Sequence, residues 1–212
     1  GNTVRANTVE SGAHAVGGGI GFDDVIEERG TATLVRNVIR ENVARGDSAV
    51  WGGGVQFFCM SAEFVGNTVA DNRAECWLAY GGGGGLFMQN SSLASTAGYT
   101  VTDNQFTGNI VRNAYNKTVL GGGVCAAVAR LAFHRHTVRG SRVSSVTDTY
   151  GAAVYLEEVA AGSGVCKNLF QANTYEQRST ASCYGTLCVY GAQEIRISMN
   201  RFFDNNVSVG GG

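Results

Sequence analysis

The sequence has little charge and no strong excess of either sign: 16% of its 212 residues are charged, and the formal net charge is −1. A chain so balanced has no extended basic surface, so we expect neither nucleic acid nor an anionic membrane as its partner. No apolar run approaches the roughly 18 residues of a membrane-spanning helix, so direct membrane insertion is not expected either. Since no window keeps a helical period, helical folds are also excluded.

Proline is absent altogether, whereas glycine occurs 31 times. Glycine-rich chains can be flexible linkers, but these glycines recur periodically between apolar segments, which argues against disorder. No CxxC or Cys/His cluster has the spacing of a zinc site, and no glycine run is followed by the Gly-Lys-Ser/Thr of a phosphate-binding loop. We therefore expect neither a metal nor a cofactor.

What the sequence does contain is a repeat, N-x-h-x-x-N (h, apolar), followed after a spacer by G-G-G-h-x-h. The first position holds Asn2, Asn37, Asn67, Asn104, His136, Asn168 and Asn200. The second holds Asn7, Asn42, Asn72, Asn109, Ser141, Asn173 and Asn205. The glycine element begins at Gly17, Gly52, Gly81, Gly121, Gly151, Gly185 and Gly210.

Apolar and polar residues alternate over short runs around each motif, for example over residues 31–35, 99–102 and 195–199. This period of two predicts two or three short strands in each repeat. Such a unit cannot bury its own apolar face, but stacked copies can, at about 4.8 Å per layer. The sequence therefore predicts an all-β, right-handed parallel β-helix, a solenoid of about seven coils of 30–37 residues.

The repeated asparagine has a physical role in such a fold. An inward amide at the corner of a coil can donate to, and accept from, the same amide one layer away. An unpaired buried amide would cost roughly 1–3 kcal/mol, so the position tolerates few other residues. We predict an inward ladder at the second position, formed by Asn7, Asn42, Asn72, Asn109, Asn173 and Asn205.

The repeats run from residue 2 to residue 212 without a linker, so residues 1–212 are expected to form one β-helix segment. The chain opens inside a motif and stops on a glycine element, without the polar caps that solenoid ends need. We expect an interior piece of a longer chain. The alternative is a subunit that self-associates end to end in a filament.

Longer connections between strands should form outward loops and a contact face. Two N-x-S/T acceptors fall in these predicted loops, so Asn90 and Asn116 are glycosylation candidates. The six cysteines suit an oxidising compartment, although buried free thiols are the alternative. Cys183 and Cys188 flank a corner and are candidates for a local disulfide, whereas Cys125 and Cys188 should lie two layers apart, too far to bond.

A carbohydrate-active enzyme would need two carboxylates facing one outer groove. The candidates are Asp23, Asp24, Asp103 and Asp148, but turn and corner positions explain most of them. We therefore expect no catalytic residue. A further alternative is glycan binding without turnover, through the surface aromatics Trp77, Tyr115 and Tyr150.

Several motifs resemble those of a known family. Phe106-Thr-Gly-Asn109 and Phe170-Gln-Ala-Asn173 are similar to the FxxN repeat of the polymorphic outer membrane proteins of Chlamydiae, and Gly122-Gly-Val124 is similar to their GGA(I/L/V) repeat. The resemblance implies a secreted β-helical passenger that serves in adhesion; similar repeats occur in surface proteins of algae and protists. The expected function is structural or adhesive, at the cell surface or in a filament, with other surface or filament proteins, or glycans, as partners.

Overall fold

The computed structural model describes residues 1–24, 30–91, 98–113, 118–145, 149–177 and 185–209. In these residues the regular structure is entirely β-strand, and each strand pairs in parallel with the equivalent strand of the neighbouring coil. The chain is a right-handed parallel β-helix, so the predicted fold class is confirmed. The described residues include no helix long and apolar enough to cross a membrane.

Five parallel sheets run along the axis and are numbered in the order in which a coil passes through them. Sheet 1 contains Thr3–Arg5, Val38–Arg40, Thr68–Ala70, Gln105–Thr107, Thr137–Arg139, Leu169–Gln171 and Arg201–Phe203. Sheet 2 contains Thr8–Ser11, Val43–Gly46, Arg73–Cys76, Ile110–Asn113, Arg142–Ser145, Thr174–Gln177 and Asn206–Val209. Sheet 3 contains Ala15–Val16, Val50–Trp51, Gly81–Gly82, Val119–Leu120 and Thr149–Tyr150.

Sheets 4 and 5 complete each coil. Sheet 4 contains Ile20–Asp23, Val55–Phe58, Leu86–Gln89, Val124–Ala127, Val154–Glu157 and Leu187–Tyr190. Sheet 5 contains Thr31–Val35, Ser61–Val65, Gly98–Thr102, Arg130–His134, Ser163–Cys166 and Ile195–Ser198. Coils are numbered from the N-terminus, and each begins at its strand in sheet 1.

Two details of the prediction need correction. Five coils contain all five strands; among the described residues the sixth contains four and the seventh two, so the predicted count of about seven is slightly high. Each of the first five coils has five strands where two or three were predicted. The reason is that strands of two to five residues are separated by as few as two residues, which leaves the apolar alternation in the sequence nearly continuous.

The core consists of columns of side chains that repeat from coil to coil. In sheet 1 the apolar residue of the motif points inward and is fully buried at Ile39, Val69, Phe106, Val138 and Phe170. Burial of each such side chain contributes roughly 1.5–3 kcal/mol. Phe64, Phe106 and Phe133 stack at centroid distances of 6.3 and 6.2 Å, so aromatic columns reinforce the register between coils.

The repeated asparagines form a column at the corner between sheets 1 and 2. Asn42 is fully buried, and its Nδ2 and backbone N–H both donate to Oδ1 of Asn72, at 2.9 and 3.0 Å. Asn72 repeats both bonds to Asn109 at 3.1 Å, and its Nδ2 also donates to the carbonyl of Ile39 at 3.0 Å. Each amide therefore satisfies its own polar atoms and the N–H of the coil beside it.

A second column, which was not predicted as a ladder, occupies the corner between sheets 5 and 1. Its members are the first asparagines of the motif. Asn67 donates from its backbone N–H to Oδ1 of Asn104 at 2.7 Å and from Nδ2 at 3.1 Å. The fold thus has two amide columns that run parallel to its axis.

The residue before each ladder position makes the bend. It has a positive φ throughout, for instance 55° at Asp71, 58° at Asp103 and 60° at Lys167, and glycine takes this place at Gly66 and Gly108. Aspartate tolerates this left-handed conformation better than most residues. This explains why acidic residues precede several ladder asparagines.

The glycine element forms the corner between sheets 3 and 4. Its first residue has a positive φ, 66° at Gly52 and 63° at Gly83. Its second residue lies against backbone, since a Cβ at Gly53 would come within 2.4 Å of the Arg73 carbonyl carbon. The third element was predicted to begin at Gly81, but Gly81–Gly82 is a strand and the corner begins at Gly83. Because residues 81–85 are all glycine, the sequence does not show which of them begins the corner.

His136 takes the place of an asparagine in the column between sheets 5 and 1, and Ser141 takes the place of one in the column between sheets 1 and 2. His136 reproduces the bonds of an asparagine, because Nδ1 accepts the Asn104 N–H at 3.0 Å and Nε2 donates to the carbonyl of Val101 at 2.9 Å. Burial lowers the pKa of His136 to about 3, so the ring is neutral near neutral pH. Ser141 is shorter, and its buried Oγ has no hydrogen-bond partner.

Candidate functional site: an aromatic groove between sheets 3 and 4

A concavity of the described surface lies where sheets 3 and 4 meet at the glycine corner. It has a volume of about 650 Å³. One wall comes from the last residues of three sheet 3 strands, Trp51, Leu120 and Tyr150, and outward residues of sheet 4 also line the groove. The first corner residue is glycine at Gly52, Gly83, Gly121 and Gly151, so no side chain projects from that position into the angle between the two sheets.

The floor of the groove is an outward column on sheet 4. Phe87, Cys125, Tyr155 and Cys188 are equivalent residues of coils 3 to 6, and all are buried. Burial raises the pKa of the Cys125 thiol and that of the Tyr155 phenol, so both groups are neutral at physiological pH. The outer face of sheet 4 therefore carries a second, apolar cluster outside the main core.

Trp51 closes one end of this cluster. Its indole stacks on Phe87 with a centroid distance of 4.6 Å and an interplanar angle of 23°. It also lies over Gly82 of the next coil, where an added Cβ would come within 2.8 Å of Cζ3. The ring therefore lies along the groove with one face packed, and the residue remains partly exposed.

The other end is more polar. Tyr150 packs on Tyr155 at a centroid distance of 5.7 Å, and Tyr190 of the following coil is 61% exposed. Glu157 pairs in register with Tyr190 and is followed by Glu158. Partial burial, together with the negative charge of Glu158, raises the pKa of Glu157. The rim thus combines exposed phenol rings with two carboxyl groups.

The glycan-binding residues expected from the sequence are not all in this groove. Tyr150 lines it, Trp77 follows a sheet 2 strand and does not, and Tyr115 lies outside the described residues. Trp51, Tyr155 and Tyr190 were missed. Their sequence signal is positional: Trp51 and Tyr150 directly precede a corner glycine, and Tyr155 is the second residue of the strand after one.

The acidic residues weighed as catalytic lie apart. Asp103 forms an ion pair with Arg135 at 2.7 Å, and the hydrogen bond from that guanidinium lowers the pKa of Asp103. Asp24 accepts the Gly30 N–H at 2.7 Å beside the first sheet 4 strand, which ends at Asp23. Asp148 lies outside the described residues. Asp23 and Asp24 belong to coil 1, whereas Asp103 lies at the corner that begins coil 4, so the structure does not join them in one groove.

Of the two glycosylation candidates, Asn90 lies within the described residues and Asn116 does not. Asn90 was expected in an exposed loop, which is wrong: it directly follows the strand Leu86–Gln89 and is 1% exposed. Its Oδ1 accepts a hydrogen bond from the Tyr99 hydroxyl at 2.9 Å, so a glycan there would disrupt a buried contact. Asn116 lies outside the described residues.

The cysteines also divide into two groups. Cys76, Cys125 and Cys166 are buried free thiols, and Cys59 is buried as well. Cys188 is disulfide-bonded, but Cys183 lies outside the described residues, so that pairing stays a prediction. Cys125 and Cys188 are separated by the coil that contributes Tyr155, in agreement with the expected two-layer distance.

Among the described residues, no group of three or more His, Cys, Asp and Glu side chains could hold a metal ion. Comparison of the chain with protein-family models, curated proteins and solved structures finds no match in any of the three.

Proposed function

We propose that this chain is a structural and adhesive segment of an extracellular surface or filament protein. In this role it is a rigid rod that holds an outer groove and outer loops toward a partner. The observation that carries the proposal is the pair of amide columns, in which bonds such as Asn42 to Asn72, at 2.9 Å, recur from coil to coil. Because these bonds are buried, displacing one coil from the next would leave unpaired amides on both sides.

The dimensions and outer surface suit such a rod. Six coil spacings give a length of about 29 Å for the described part. On the outer face of sheet 2, Glu10, Arg45, Glu75 and Arg112 alternate in sign, and Arg45 contacts Glu75 at 2.8 Å. This alternation favours pairing of each coil with its own neighbour, because pairing with the next coil but one would place like charges side by side.

The resemblance to the polymorphic outer membrane proteins of Chlamydiae supports the same role. It consists of the FxxN and glycine motifs, which form the amide column and the sheet 3–sheet 4 corner in this fold. We propose the cell surface or extracellular space as the location. Other surface or filament proteins, further copies of the chain, or surface glycans would be the partners.

A laminar-flow assay tests this proposal. Beads coated with the native protein should stay attached to cell surfaces at shear that removes albumin-coated beads. Beads coated with the same protein carrying Asn109→Leu, which breaks the amide column, should detach because the rod no longer holds its outer surface in shape. Detachment of native-coated and albumin-coated beads at the same shear, on every surface tested, would reject the adhesive role.

A further inference from the structure

We propose that the groove between sheets 3 and 4 binds a neutral oligosaccharide chain that lies parallel to the helix axis. Stacking on the faces of Trp51, Tyr80 and Tyr190 would hold the sugar rings. This inference rests on the proposed adhesive role, because it names the chemical class of the contacted partner.

The shape of the groove selects a linear ligand. Trp51 belongs to coil 2 and Tyr190 to coil 6, so the aromatic residues span four coil spacings, or about 19 Å. The floor of the groove is continuous, because Phe87, Cys125 and Tyr155 are equivalent residues of three successive coils. A chain of several sugar units matches this shape better than a compact molecule does.

The aromatic residues are arranged to offer ring faces. Trp51 is held flat, because one face packs on Phe87 and Gly82 leaves room for the ring. Tyr80 and Tyr190 are 53% and 61% exposed at the rim, although large aromatic side chains gain free energy from burial. The apolar C–H face of a pyranose can cover such rings while its hydroxyls stay in contact with polar groups.

The polar groups and the charge of the groove favour a neutral sugar. Gln89, Glu157 and Glu158 line it and can accept hydrogen bonds from hydroxyls. None of the described residues that line the groove is Lys or Arg. Acidic polysaccharides would therefore meet carboxyl groups without a compensating cation, which costs binding free energy.

A peptide is a poorer match. Peptides commonly bind to a sheet by adding a strand to its free edge. At this corner the backbone is already paired along the axis: Gly52 N–H donates to the Gly82 carbonyl at 3.0 Å, and Val55 N–H to the Gly85 carbonyl at 2.9 Å. The walls of the groove therefore hold a ligand mainly through side chains, and these are rings and acceptors.

Calorimetric titration and tryptophan fluorescence test the inference directly. The chain has two tryptophans, so Trp77→Phe leaves Trp51 as the only tryptophan reporter, inside the groove. The probes are a printed array of neutral glycans, then cellohexaose, maltohexaose and N-acetylchitohexaose, with hexagalacturonate and hexalysine for comparison. We expect at least one neutral glycan to bind and to change the Trp51 emission, and the two charged probes to give no signal.

Variants locate the binding. Tyr80→Ala and Tyr190→Ala remove exposed rings and should leave the fold intact, while each weakens binding by roughly tenfold. Trp77→Ala is the matched control, since Trp77 is 40% exposed but lies outside the groove, and it should leave affinity unchanged. Equal weakening by Trp77→Ala would show that the groove is not the site.

Two other results would overturn the inference: silence across the neutral glycans, or binding of hexalysine that Tyr190→Ala abolishes. The bead assay separates this failure from that of the adhesive role. If native beads adhere and Tyr80→Ala with Tyr190→Ala changes nothing, the glycan assignment is wrong and adhesion stands. If a neutral glycan binds but native beads never adhere, the adhesive role is wrong.

Discussion

Replacement of His136 by asparagine should remove much of the acid sensitivity of the fold. His136 lies within an amide column, where Nδ1 accepts the Asn104 N–H and Nε2 donates to the carbonyl of Val101. Protonation would convert the acceptor Nδ1 into a donor that faces another donor, inside the core. The folded protein therefore resists protonation at this ring, whereas the unfolded chain does not.

The size of the effect follows from the two pKa values. Burial lowers the folded pKa of His136 to about 3, and an unfolded histidine has a pKa near ~6.5. Between these values the unfolded state binds more protons, so stability falls as the pH decreases, by up to about 1.4 kcal/mol per pH unit. From pH 7.5 to pH 4.5 the expected loss from this one residue is about 2.7 kcal/mol.

An asparagine at position 136 would restore the unbroken column. Its Oδ1 could accept the Asn104 N–H, and its Nδ2 could donate to the Val101 carbonyl, as Asn168 does to the Phe133 carbonyl at 3.2 Å. The smaller side chain would leave space beside Phe133, whose ring centroid is 3.9 Å from that of His136. At neutral pH this void should cost roughly 1 kcal/mol.

Urea unfolding at pH 7.5 and 4.5 measures the difference. The loss of unfolding free energy between the two pH values should be about 2.7 kcal/mol smaller in His136→Asn than in the unaltered protein. Carboxylates titrate in both proteins, so their contribution largely cancels. His14→Asn, at an exposed histidine, is the control and should change nothing. An equal acid-induced loss with and without His136 would refute the reasoning.

Three further predictions concern the columns and the groove. Ser141→Asn should stabilise the fold by roughly 1 kcal/mol, because the buried Oγ has no partner and an amide would complete the column between sheets 1 and 2. Asn109→Leu should destabilise it by roughly 3 kcal/mol or more, since Asn72 loses its acceptor for two N–H groups, whereas Gln105→Leu on the exposed face should change little. The Cys125 thiol should resist alkylation until the chain unfolds, because it is fully buried and its pKa is raised.

Each of these three predictions would be contradicted by one specific result. Lower unfolding free energy for Ser141→Asn would mean that the column has no room for an amide at that coil. Similar urea midpoints for Asn109→Leu and Gln105→Leu would mean that the buried amides contribute little. Rapid alkylation of Cys125 under native conditions, measured by mass spectrometry, would mean that the groove floor opens to solvent.

Much of the fold could be predicted because it repeats. Every copy of the motif places an asparagine at the same corner, so the sequence alone predicts the column that contains Asn42, Asn72 and Asn109. The third glycine corner was misplaced by two residues because Gly81 to Gly85 look identical in sequence. Only the pairing of Gly81 and Gly82 with neighbouring strands separates the strand from the corner.

The groove could not be predicted in the same way. Its residues vary from coil to coil: the position of Trp51 is glycine, leucine and tyrosine in the next three coils. Such a column carries no repeat signal. Moreover, Phe87 and Tyr155 occupy the outward position of their strands, yet they are buried, because the neighbouring sheet 3 residues cover them. That burial depends on the angle between two sheets, which local patterns do not encode.

The central claim is that buried amide columns lock each coil to the next, and side-chain amide hydrogen exchange measured by NMR tests it most directly. The Nδ2 protons of Asn42, Asn72 and Asn173 should exchange far more slowly than those of the exposed Asn206, and at rates that follow global unfolding. Exchange of the column amides as fast as that of Asn206 would contradict the account.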